Sequence, residues 1–171
     1  TMATAFISGK AFDAQFAIST SGKLDTHRDH PGTHLQAQKE FWDSVSAIFD
    51  YFKSIQYGGG SLFDATTFFV SNEFSRTPAL NANKGKDHNP MTNSCLVAGK
   101  NIRGGQTFGK SQVIARNTQN NTPSSHVGCP FEFANGTSDF IRPENVVETL
   151  RSVLDMKPST NRIIPNLGVQ A

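Results

Sequence analysis

The sequence predicts an α/β fold, with helices packed on a mostly parallel sheet. Three observations predict it. Along the chain the segments read as strand, helix, strand, strand, helix. The segment 64–72 (DATTFFVSN) is β-branched and aromatic on both faces, as strands buried in parallel sheets are. Polar loops follow the strand ends, where ligands bind in sheets of this class.

Residues 12–19 (FDAQFAIS) are short and apolar-rich and precede Thr20-Ser21-Gly22, so they read as a strand running into a loop. That loop carries Asp25-Thr26-His27-Arg28-Asp29-His30. Residues 31–56 form the clearest element. Leu35, Phe41, Trp42, Val45, Ile48, Phe49, Phe52 and Ile55 recur at three- and four-residue steps, which makes one apolar helical face. Gly58-Gly59-Gly60 is expected to end it. Glu73 stands at the C-terminal end of the 64–72 strand. Residues 75–90 are rich in Asn, Gly and Pro and read as a loop. Residues 94–98 (SCLVA) read as another buried strand, 101–111 as glycine-rich turns, and 117–125 as a polar loop. Residues 143–156 read as a second amphipathic helix, with Pro143 in its first turn and Val146, Val147, Leu150, Val153 and Leu154 as its stripe. Residues 157–171 read as an irregular tail.

A chain of 171 residues suits one domain with a real core. At 36% hydrophobic, 18% charged and net +2, it has an ordinary composition that does not point to nucleic acid. No apolar run reaches the length of a membrane span. The chain begins Thr1-Met2 and enters mid-pattern, so it is expected to be a piece of something longer. No export signal is visible, which in a fragment says little about location. Cys95 and Cys129 form no C-x-x-C pair; two thiols and one disulfide both fit.

Four of the five histidines fall in two places, His27, His30 and His34 in one and His88 in the other. Asp25 and Asp29 accompany the first, Asp87 the second, and Glu73 adds a carboxylate at a strand end. Mixed imidazole and carboxylate sets suit zinc, manganese or iron. Such an ion lowers the pKa of bound water and neutralises charge on a phosphoryl or sulfuryl group. The alternative is a solvated loop that caps the next helix through Asp29 or Thr33. His34 falls on the first helical turn and reads as structural; His126 is given no role. Arg76, just past a strand end, suits bidentate capture of an oxyanion, or a plain ion pair with an aspartate. Lys84, Lys86 and Lys110 are further positive charges of a kind common on surfaces.

Residues 104–111 (GGQTFGKS) satisfy the phosphate-binding pattern G-x-x-x-x-G-K-[ST]. A working P-loop follows a strand and opens a helix. Here residues 99–103 intervene, and QVIAR at 112–116 offers barely one helical turn. Gly104, Gly105 and Gly109 therefore read as turn glycines, with Lys110 and Ser111 completing the pattern by chance.

KLDTHRDH, TTFFVSNEFSRTPALNANKGKDHNP and LVAGKNIRGGQTFG together resemble a large bacterial group of the alkaline phosphatase and sulfatase superfamily, many of them exported by the twin-arginine route. That group's pattern runs roughly G-G-W-D-T-H, S-E-F-G-R-T-P, G-x-D-H and a glycine-rich segment, and order and spacing agree over about residues 12–156. The resemblance implies a three-layer α/β/α sandwich with a mostly parallel central sheet, of which this chain is the C-terminal part. It implies a metal-dependent hydrolase of phosphate or sulfate esters acting on a small anionic substrate, in the periplasm or outside the cell. The divalent ion would be zinc, manganese or calcium. Asp25 with His27 or His30 would serve one metal, Glu73 the next ligand position, and His88, beside Asp87, would return to the first; Arg76 would steady the anion. The nucleophile is expected outside this chain, in an N-terminal half that would be its partner. Departures matter. Glu73-Phe74 stands where the superfamily commonly has Asp-His, Lys23-Leu24 where the group has Gly-Trp, and Ser75 where it has glycine. A non-catalytic exported binding or assembly protein with an eroded site is the competing reading.

Overall fold

The computed structural model describes residues 2–22, 24–116, 119 and 123–168. The chain divides into two compact units, residues 1–66 with 81–85, and residues 67–80 with 86–171. The fold is mixed α/β, and every strand pairing among the described residues is antiparallel.

The first unit is built on helices. A short helix α1 (Met2–Ile7) precedes α2 (His30–Ser54). Pro31 lies in the first turn of α2, where its missing N–H costs nothing. Ala37, Val45 and Phe52 are buried on its inner face, and Phe52 meets Phe6 of α1 edge to face at 6.3 Å. Leu35 and Trp42, which the periodicity places on the same face, are instead exposed. Helix α2 stops at Ser54, with Ile55 extended. The glycines after it do not cap it. Gly58 and Gly59 take positive φ of 58° and 87° and turn a tight hairpin between β1 (Gln56–Tyr57) and β2 (Gly60–Ser61).

The strand expected over residues 12–19 is not formed; those residues are irregular. Phe12 is 94% exposed, and the segment enters no ladder. An apolar-rich segment with no partner strand has no means to satisfy its backbone as a strand.

In the second unit, β3 (Thr67–Ser71) pairs antiparallel with β6 (Cys95–Gly99), Thr67 opposite Gly99 and Ser71 opposite Cys95. Both strands lie where the sequence predicts them. The parallel sheet does not appear among the described residues, and Phe69 of β3 is 48% exposed. The apolar composition of 64–72 therefore does not mean burial on two faces. The loop expected at 75–90 contains two short strands, β4 (Ser75–Arg76) and β5 (His88–Asn89), with Arg76 opposite His88. Residues 112–116, expected as barely one helical turn, lie instead in β7 (Ser111–Arg116), paired with β8 (Pro123–Gly128) through an irregular register after Val113. A β-branched pair, Val113-Ile114, favours strand over a single isolated turn. The expected polar loop at 117–125 is shortened by β8, and most of its remainder lies outside the described residues. Cys95 and Cys129 are free thiols.

Two short strands, β9 (Phe131–Glu132) and β10 (Ser138–Asp139), lead into α3 (Pro143–Val153). The predicted helix is present, but its buried face is largely polar. Asn145, Glu148 and Thr149 are buried beside Val153, while Val147 and Leu154 are exposed. These polar groups hold the irregular tail. Thr149 Oγ1 donates to the Asn145 carbonyl at 2.6 Å and accepts the Ile164 N–H at 3.0 Å. The Glu148 carboxylate accepts the Ser159 N–H, and Ile164 is buried. Arg162 pairs with Asp139 at 2.7 Å and lies over the Phe133 ring.

Hydrogen bonds from the Ser159 backbone and side chain, aided by Arg151, hold the Glu148 carboxyl below the ordinary glutamate value. A folded-state pKa below the unfolded one contributes stability that is complete above about pH 5 and is lost as pH falls through the folded value. Melting temperature is therefore expected to drop from about pH 5 downward, and Glu148→Gln should flatten that drop. A wild-type slope in the variant, measured by thermal melts across pH, would refute the assignment.

Candidate metal centre

The loop before α2 brings together two of the sequence-predicted donors. Asp25 Oδ1 and His27 Nε2 lie 3.2 Å apart, both substantially exposed to solvent. They open onto a cleft of about 340 Å³ lined also by Thr26, Arg28 and Thr33. The separation fits a shared ion: two ligand atoms each about 2.0–2.1 Å from a tetrahedral zinc lie about 3.3 Å apart.

His30 turns Nδ1 to the Thr26 hydroxyl at 2.6 Å, and its ring stacks on His34 at 4.1 Å. Thr26 is buried, so this contact ties the middle of the loop to the start of α2. Asp29 holds the N-cap position in left-handed conformation, but its side chain makes no cap hydrogen bond. The predicted capping bond from Asp29 is not made, although its carboxylate lies against Gly32 in the first turn of the helix. Thr33 instead donates to the Asp29 carbonyl at 2.9 Å.

The backbone of the loop before α2 is held from residues 81–85. Asp29 N–H donates to the Asn83 carbonyl at 3.1 Å and His30 N–H to the Lys84 carbonyl at 2.9 Å. Arg28 and Lys84 form an antiparallel bridge, and Lys84 has a positive φ of 56°. Sequence reasoning had no signal for this contact, since residues 81–85 read only as polar loop.

The remaining predicted residues belong to the second unit. Glu73 is exposed in the bend after β3. Arg76 donates to the Lys86 carbonyl at 3.0 Å, and its guanidinium lies 5.4 Å from the Phe74 ring centroid. His88 stacks on Phe74 at 3.8 Å. Asp87 exchanges backbone bonds with Thr77: Thr77 N–H donates to the Asp87 carbonyl at 2.9 Å, and Asp87 N–H to Thr77 Oγ1 at 3.1 Å. Gly105 and Gly109 have positive φ of 74° and 76°, and Ser111 opens a strand, so no helix N-terminus stands behind GGQTFGKS to bind phosphate.

A mixed α/β protein with an imidazole–carboxylate pair in a cleft defines the class. Residues 11–127 match the family described as "Protein of unknown function (DUF1501)", and the chain belongs to that family. No curated protein and no solved structure matches the chain. No helix among the described residues is long and apolar enough to cross a membrane.

Proposed function

We propose that this chain forms part of a metal-dependent hydrolase of phosphate or sulfate esters, related to the alkaline phosphatase and sulfatase superfamily and working outside the cytoplasm. The observation that carries this reading is the 3.2 Å approach of Asp25 Oδ1 and His27 Nε2 in an open cleft. The motif order supports the rest. Glu73, Asp87 and His88 are the further ligands it nominates, with His30 as an alternative to His27, and Arg76 is the residue proposed to hold the anion. A zinc, manganese or calcium ion bound at such a site lowers the pKa of water and offsets charge on the ester oxygens. A nucleophile outside these residues and a three-layer sandwich with a parallel sheet belong to the same proposal.

Elemental analysis after equilibration with zinc, manganese or calcium tests it. At an ion concentration about a hundred times Kd, binding is worth about 2.7 kcal/mol, and melting should rise by about 5–10 °C and fall back with chelator. Asp25→Asn and His27→Ala should each abolish the rise. No bound ion, with melting unchanged in all three metals, would sink the proposal.

One observation favours a second reading, an exported binding or assembly protein without catalysis: Phe74 stacks on His88 where the superfamily commonly has a ligand. Hydrolysis of aryl phosphates or aryl sulfates that His88→Ala abolishes would exclude it.

A further inference from the structure

We infer that Asn81 is a positioning residue for the Asp25–His27 pair, an inference that rests on the metal reading above. Its one amide performs two tasks. Asn81 Oδ1 accepts the N–H groups of Asn83 and Gly85, each at 2.9 Å. Asn81 Nδ2 donates to the carbonyl of His27 at 3.1 Å. The partners fix the orientation of the amide, because N–H groups demand its oxygen and the carbonyl demands its nitrogen.

The acceptor half folds residues 81–85 into a closed turn. Asn81 N–H donates to Gly85 O at 2.8 Å, and Lys84 N–H returns to Asn81 O at 3.0 Å. That turn aims the carbonyls of Asn83 and Lys84 at the Asp29 and His30 N–H groups. The donor half then fixes the peptide of His27 itself, the residue whose ring meets Asp25. Both ends of the 27–30 backbone are thereby held, while the Asp25 and His27 side chains stay open to the cleft. Outer-shell groups of this kind set ligand orientation and are worth as much as the ligands' own geometry allows.

The two halves separate by substitution. Asn81→Asp keeps an acceptor for the Asn83 and Gly85 N–H groups and removes the donor to His27. Asn81→Ser also loses the reach to His27 and serves as an independent variant. Mn(II) titration followed by electron paramagnetic resonance, and amide hydrogen exchange of the metal-free protein, give two readouts. In both variants Mn(II) affinity should fall about 10–100-fold with an altered spectrum of the bound ion. The Asp29 and His30 amides should exchange about tenfold faster or more in Asn81→Ser, which also shortens the acceptor arm, and remain closer to wild type in Asn81→Asp, with the interior amides of α2 unchanged in both. Wild-type affinity together with wild-type exchange would overturn the inference. Acceleration throughout α2 would also overturn it, since Asn81 would then support the fold at large. A wild-type protein that binds no ion refutes the metal reading, and the exchange arm alone then decides whether Asn81 holds the loop.

Discussion

Phe52→Ala is expected to destabilise the first unit by about 3–5 kcal/mol, the range for deleting a buried phenylalanine from a core that relaxes only in part. Phe52 is 3% exposed and packs against Phe6 and Tyr51 at 6.3 and 6.1 Å. Its carbonyl also accepts the Ile55 and Phe63 N–H groups that turn the chain out of α2. Truncation therefore opens a void where the helix ends and the hairpin begins. The single tryptophan, Trp42, lies on α2 and reports this unit in a urea titration. Leu35→Ala is the matched control. The residue belongs to the same predicted face but is 79% exposed, and a change within about 0.5 kcal/mol is expected. Equal midpoints for the two variants would show that the inner face of α2 is wrongly assigned.

Gly85→Ala is expected to have the second largest effect. A Cβ at Gly85 would lie 1.9 Å from both the carbonyl carbon and oxygen of His27. Those are backbone atoms and cannot swing aside, so one loop must leave the other. The cost is about 1–3 kcal/mol for overpacking, and it rises if the Asp29 and His30 hydrogen bonds are lost with the contact. The His27 peptide moves in either case, so under the proposed metal reading affinity for the ion should fall further than in Asn81→Asp. Gly104→Ala, with nothing within 4 Å of the added carbon, should leave both stability and metal binding unchanged. Wild-type metal affinity in Gly85→Ala would remove the basis for tight packing of residue 85 on the ligand loop.

Much of this was legible in the sequence, unevenly. Helix α2 was, because its three- and four-residue apolar period persists from Leu35 to Ile55 and no strand matches that period. The pairing partners were not. Residues 64–72 and 94–98 read as strands, but their hydrophobicity on both faces suggested parallel neighbours, and the ladder between them is antiparallel. Strand direction is a property of long-range pairing, which local composition does not encode. Helix α3 was found by its valines and leucines, yet Asn145, Glu148 and Thr149 make most of its buried face, beside Val153. Side-chain hydrogen bonds to the tail outweighed apolarity there. At the site, the D-T-H spacing pointed to Asp25 and His27, and the two donors do meet. Asn81 and Gly85 went unseen, because each acts through a loop far away in sequence, and a glycine's close approach leaves no local mark.

The hairpin-like contact between residues 27–30 and 81–85 also orders events during synthesis. Asp25 and His27 leave the ribosome with all of α2 and β3 still to come. The carbonyls of Asn83 and Lys84 that hold the Asp29 and His30 amides are then not yet made. Closing so long a loop costs chain entropy before any contact repays it. The D-T-H segment therefore stays without its fixed geometry in the nascent chain until Gly85 has emerged. Under the proposed metal reading, an ion can meet the formed site only after that point.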